Sequence, residues 1–140
     1  PMSRRVHEHT AASSPATLRL VAFALLAALT VLSAYGSAFA QNVRSGQFSG
    51  QGRYDTSGTV SVAPGALTLH RNFAFDGAPD PKLAFGSGRR ADRSTIFTPL
   101  RRNSGEQNYR VPANIDVSQY THVWLWCERF SVPLGVARLR

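Results

Sequence analysis

After Gln41 the chain is built from short runs in which apolar and polar positions alternate. Thr59–Val60–Ser61–Val62 alternates with period two, Pro64–Gly65 supplies a turn, and Leu67–Thr68–Leu69 resumes the alternation. This is the pattern of a hairpin. Phe73 and Phe75 share one face of the next extended piece, and Lys82–Phe85 is a short run ended by Gly86–Ser87–Gly88. Ile96–Phe97 and Tyr109–Val111 are further strand candidates, the second stopped by Pro112. The strongest strand is Thr121 to Cys127, where Val123 and Leu125 face opposite to Trp124 and Trp126. Both of its faces are apolar, so it is expected to be central and covered twice. Ser131 to Leu139 forms the last strand, with Pro133 confining it to an edge or a bulge. No segment after Gln41 keeps a 3.6-residue apolar period long enough for a helix. The prediction is an all-β fold, a small antiparallel β-sandwich of about seven to nine short strands. Gly86 to Arg93 reads as a loop.

The N-terminal pattern differs. Arg4, Arg5 and Arg19 precede an uncharged run from Leu20 to Ala34, and Ala38–Phe39–Ala40 follows. A basic region, a short apolar core and an A-x-A site describe a secretory signal peptide cleaved after Ala40. The run is fifteen residues long, shorter than the roughly 20 that a membrane-crossing helix needs. The expected organisation is a leader over residues 1–40 and one domain over 41–140, secreted or periplasmic, with no membrane span after cleavage.

Composition narrows the chemistry. The 140 residues contain sixteen Lys plus Arg, eight Asp plus Glu, and a single Cys. One Cys excludes an internal disulfide, a CxxC redox pair, a CxxCH haem attachment and any Cys-rich cluster site. No Ser–His–Asp spacing, phosphate loop or HExxH string occurs. The chain therefore reads as a carrier or accessory rather than an enzyme with a defined catalytic constellation. Arg89, Arg90, Arg93, Arg101, Arg102 and Arg110 lie close together in sequence. They form either a docking patch for an acidic partner or anionic lipid, or a solvated face that keeps a small domain soluble. Nucleic acid is not expected, because no aromatic residues interleave with the arginines. Asp76, Asp80 and Asp116 read as turn builders.

Several local strings are more particular. Gly46–Gln47–Phe48 and Gly58–Thr59–Val60 come first, then Asp76–Gly77–Ala78–Pro79–Asp80 and Gly105–Glu106–Gln107–Asn108–Tyr109–Arg110–Val111–Pro112. The last string is Trp126–Cys127 with Phe130–Ser131–Val132 and Gly135. In this order and spacing, from about Gly46 to Leu139, the chain resembles the electron-transfer DM-thirteen domain family. Leu134, where an aromatic is usual, and Pro81 after Pro79–Asp80 depart from the pattern. The resemblance implies an exported all-β domain in which the single Cys, here Cys127, serves electron transfer as a free thiol or as ligand to a prosthetic group.

Physical chemistry leaves several roles open for Cys127. It is a small buried hydrophobe, or a thiolate activated by Arg129 or His122. It is a haem ligand with Trp126 and Phe130 lining the pocket, or one corner of a His₂Cys copper site with His70 and His122. Copper is the weaker of the two cofactors: His122 lies five positions earlier on the same strand, about 16 Å away when extended. Two functions compete. In one, Cys127 serves an exported redox accessory that works with a redox partner protein. In the other, the domain is a cell-envelope binding module whose partner is an envelope component, and Cys127 is purely structural.

Overall fold

The computed structural model describes residues 42–140, and the expected leader lies outside the described residues. The hairpin read from the alternation is present. Strand β3 (Thr59–Ala63) pairs with β4 (Ala66–Leu69) in the register Val60↔Leu69 and Val62↔Leu67. The two-residue connection is Pro64–Gly65, with Gly65 at φ +79. Proline presets the first turn position, and glycine accepts the left-handed second one at little cost.

Ten strands form among the described residues. The others are β1 (Arg44–Gly50), β2 (Thr56–Ser57), β5 (Ala74–Phe75), β6 (Pro81–Gly86), β7 (Thr98–Pro99), β8 (Gln107–Arg110), β9 (His122–Cys127) and β10 (Val132–Arg138). Eight of them make one antiparallel sheet in the order β7-β6-β9-β10-β1-β3-β4-β8, and β2 pairs with β5 separately. The sheet is nearly closed. Strand β1 is the seam: Arg44 to Gln47 pair with β3, while Phe48 to Gly50 pair with β10. The two layers expected of a sandwich are thus halves of one sheet that fold over a shared core.

The core follows from the alternation. Val60, Val62, Leu67 and Leu69 from one half meet Leu83, Phe85, Val123, Leu125 and Leu134 from the other, all buried. The opposite face of β9 is also covered. Trp124 packs with Ala84 and Ala91, and Ile96, Trp126 and Val136 flank them. The indole N–H of Trp124 donates to the Ser87 carbonyl at 2.8 Å, so the buried ring leaves no polar atom unpaired. Strand β9 is accordingly central and covered twice.

One local expectation is corrected and two are made definite. Ile96–Phe97 is not a strand. A 3-10 turn, Arg93–Thr95, precedes it, and the Thr95 hydroxyl accepts from the Phe85 N–H and donates to its carbonyl. A side chain there takes the place of a strand partner. The last strand is not an edge, because β10 lies between β9 and β1. Its proline is accommodated by a bulge between Pro133 and Gly135. The extra residue, Leu134, is buried, and its carbonyl accepts from the Thr56 hydroxyl and the Gln51 N–H. Finally, the loop at Gly86 closes tightly, with a Gly86↔Ala91 bridge and the Ser87 N–H on the Arg90 carbonyl.

The antiparallel strands give the domain two ends. The chain enters β1 at one, beside the start of β9 and the finish of β10; we call this the entry end. The other holds Cys127, the β9–β10 turn and the segments 51–55, 76–80 and 101–106; we call it the thiol end.

Candidate redox site at Cys127

Cys127 is the last residue of β9, paired with Pro81 on β6 and Val132 on β10. It shares a face with Val123 and Leu125, and alternation therefore points its side chain into the core. It is fully buried. Its thiol donates to the Pro79 carbonyl at 3.0 Å.

Pro79 belongs to a short cover over the thiol. Asp80 takes a left-handed backbone, φ +52, and its carbonyl accepts from the Glu128 N–H. Lys82 braces the cover, with its ammonium 3.3 Å from both the Asp80 and the Glu128 carboxylates. Burial alone would lower the Lys82 pKa, but hydrogen bonds to Asp80 and Glu128 outweigh it and hold the ammonium above its ordinary value. One cation thus ties the 76–80 segment to the β9–β10 turn.

The other residues singled out in sequence do not gather around Cys127. Trp126 points to the opposite face of the sheet, and its buried indole N–H finds no acceptor among the described residues. Phe130 stands at the tip of the β9–β10 turn, 59% exposed. With Tyr54, Val132 and Pro133 it lines a mostly apolar cleft of about 550 Å³ that Cys127 does not reach. A haem held by Cys127 between Trp126 and Phe130 does not fit this arrangement, because the sheet itself separates the sulfur from the Trp126 ring. His122 begins β9 at the entry end, and its Nδ1 is 2.7 Å from the Thr121 hydroxyl. His70 is exposed, with its Nε2 2.7 Å from the Ser61 hydroxyl. Among the described residues no three His, Cys, Asp or Glu side chains gather to hold a metal. The His70–His122–Cys127 copper triad is not assembled. Arg129 is exposed on the β9–β10 turn.

Of the acidic residues read as turn builders, Asp116 behaves as one, Asp80 instead pairs with Lys82, and Asp92, not singled out in sequence, builds a turn of the same kind. Asp116 accepts from the N–H and hydroxyl of Ser118, and Asp92 does the same with Ser94. These hydrogen bonds, those from the serine hydroxyls foremost, hold both carboxyls below the usual carboxylate range. Sequence reading missed the part played by Lys82 and Pro79. The only hint was the Pro79–Asp80–Pro81 string, in which Asp80 turns the chain through a left-handed backbone just after the Pro79 carbonyl that accepts from the thiol.

Comparison with known proteins adds the family. The electron transfer DM13 family model matches residues 47–139. The chain belongs to the electron transfer DM13 family. The match runs from β1 to the end of β10 and takes in Cys127 with its cover. The chain is also similar to two forms of protein Skeletor of Drosophila melanogaster, isoforms B/C and isoforms D/E. Each is 30% identical over 94 residues, covering 60% of this chain but only 12% and 6% of the Skeletor chains. No solved structure matches the chain. Among the described residues no helix is long and apolar enough to cross a membrane.

Proposed function

We propose that this chain is an exported redox accessory domain, an electron carrier rather than an enzyme, with Cys127 as the group that carries the chemistry. Family membership supports a redox role, and the observation that carries this reading is the placement of the one thiol. Cys127 lies at a strand end, covered from the surface by the 76–80 segment and hydrogen-bonded to it through Pro79. A thiol so placed is shielded while the cover is down. Lifting the cover exposes it to a redox partner protein that carries a disulfide. The Cys127 sulfur loses its proton to solvent and attacks one sulfur of that disulfide. The partner's S–S bond breaks, its other sulfur leaves as a thiolate, and a mixed disulfide results. The Lys82 brace sets how often that happens.

The test is thiol titration of the native full chain with a chromogenic disulfide, after an absorption spectrum taken without reductant. Native Cys127 should react slowly but well above the global unfolding rate, and Lys82→Met should speed the reaction severalfold. Cys127→Ser should abolish it.

A second reading is favoured by the complete burial of Cys127, namely an envelope-binding module in which the sulfur only packs. A featureless spectrum, with Cys127 in both proteins reacting only as fast as the chain unfolds, would overturn the redox reading in favour of this one.

A further inference from the structure

The basic residues that sit together in sequence part company in the fold. Arg89 and Arg90 lie in the turn after β6, at the entry end, whereas Arg101 and Arg102 lie at the thiol end. Arg110 returns to the entry end through its pairing with Ala66. Arg44, Arg138 and Arg140 join it there at the start of β1 and the finish of β10.

We infer that the entry end docks on an anionic phospholipid surface, with Arg138 and Arg140 taking a headgroup phosphate between them. Six arginines stand at this end against two side-chain carboxylates, Asp92 and Asp116. Both carboxylates are already occupied by serine N–H and hydroxyl donors. None of the ion pairs among the described residues lies here; all three are at the thiol end. Five of the six arginines are exposed. The sixth, Arg44, donates to the Val117 and Tyr120 carbonyls and so holds the 117–120 segment in place.

Arg138 and Arg140 are two apart on an extended chain, so they share a face. The backbone of Arg140 exchanges hydrogen bonds with Ser45, which fixes that continuation of β10. With Ser45 and Gln47 they line a groove of about 390 Å³, wide enough for a phosphate group. Guanidinium groups bind phosphate oxygens through paired N–H donors. His122 faces Arg138 across the strands, and burial first, then Arg138, lowers its pKa, so the positive charge here is that of the arginines alone.

Two features select a bilayer among polyanions. The charge is spread over an end of the domain instead of being gathered in one deep pocket, which suits a planar array of headgroups. The chain also arrives at this end: the uncharged run Leu20–Ala34 finishes ten residues before Arg44. Cleavage after Ala40 would instead add the α-amino group of Gln41 to the same end. The inference does not rest on Cys127, and Cys127→Ser should bind as the unaltered chain does.

The experiment is vesicle co-sedimentation of the full chain at low ionic strength. Phosphatidylglycerol in phosphatidylcholine is compared with phosphatidylcholine alone, which measures whatever the apolar run contributes. The anionic vesicles should be preferred, and Arg138→Gln with Arg140→Gln should weaken that preference about 30-fold, from roughly fivefold per cation near such a surface. Arg53→Gln with Arg129→Gln, at the thiol end, makes the same change in net charge and should leave the preference within about twofold. Thermal unfolding of both double variants shows that each remains folded. Equal losses in the two pairs, or no preference for anionic vesicles, would overturn the inference. Complete release by inorganic phosphate at a concentration matching the lipid would also overturn it, by reducing the groove to a single-anion site.

Discussion

The entry end and the thiol end each carry six cationic side chains, yet they use them in different ways. At the thiol end Arg53, Arg71, Lys82, Arg101, Arg102 and Arg129 stand among Asp55, Asp76, Asp80, Glu106 and Glu128, and the charges hold loops. Lys82 braces the cover of Cys127. The guanidinium of Arg101 lies 4.4 Å from the centre of the Tyr109 ring and donates to the Asn108 carbonyl, and that of Arg102 donates to the Glu106 carbonyl. Five of the six are exposed at each end, but at the entry end only two side-chain carboxylates face them, and both are held by serine donors. The same residue type is structural where acidic or aromatic neighbours are supplied and available for binding where they are not. Charge at the two ends therefore answers to different tests.

The largest effect should come from backbone crowding, which also differs between the ends. Gly58, near the thiol end, has φ +100, and a Cβ there would stand 2.4 Å from the Phe73 Cα. Gly65, at the entry end, has φ +79 with nothing within 4 Å of that position. Gly65→Ala bears only the left-handed penalty and should cost about 1–2 kcal/mol. Gly58→Ala adds a backbone clash and should cost about 4 kcal/mol or more. Urea denaturation measures both, and equal losses would remove this distinction.

Cys127→Ser places a hydroxyl in an apolar position but keeps a donor for the Pro79 carbonyl. It should lower stability by about 1–2 kcal/mol in the same urea assay. A neutral result would mean that the thiol makes no packing contribution.

The smallest effects are pH responses of opposite sign. Asp92 and Asp116 titrate below their unfolded values, so their stabilisation is complete above about pH 3.9. It is lost as pH falls through the lower folded values. His122, lowered by burial and then by Arg138, acts in the same direction. Its contribution is complete above about pH 6.5 and is lost as pH falls. Lys82 titrates above its unfolded value, so its contribution is complete below about pH 10.4 and is lost as pH rises through the folded value. Backbone NMR signals of Ser94 and Ser118 should therefore shift on acidification only below the ordinary carboxylate range, and signals beside the Lys82 ammonium should shift in alkali only above about pH 10.4. A shift of Ser94 or Ser118 within the ordinary carboxylate range would contradict the assignment.

Much of the fold was legible because β9 and the β3–β4 hairpin wear their burial in their sequence. Strand β1 was not, because Gly46 and Gly50, in phase with the buried Phe48, carry no side chain. A Cβ on Gly46 would meet the Arg138 carbonyl oxygen at 2.2 Å, and one on Gly50 the Tyr54 carbonyl oxygen at 2.0 Å. Backbone fills the space that apolar side chains fill elsewhere, so the hydrophobic pattern has nothing to show. At the candidate site Cys127 itself was legible, and its phase with Val123 and Leu125 already placed it on one face with them. The cover over it was not, since Pro79 lies 48 residues away in sequence. The arginine cluster misled for the converse reason. Neighbours along the chain were sent to opposite ends by an intervening strand, a separation that composition cannot express.

The seam at β1 also sets the order in which the domain can form. Phe48 pairs with Ala137, and Ser45 with Arg140, so the first strand is held by the last. Until residues near 132–138 are available, β1 and β9 both keep an open edge, and the core cannot be sealed from either side. Contacts of such long sequence separation make folding slower than in domains built from local contacts. A chain still being threaded through a membrane would stay unsealed until its final strand arrived, and truncation before Val132 would leave it in that state permanently.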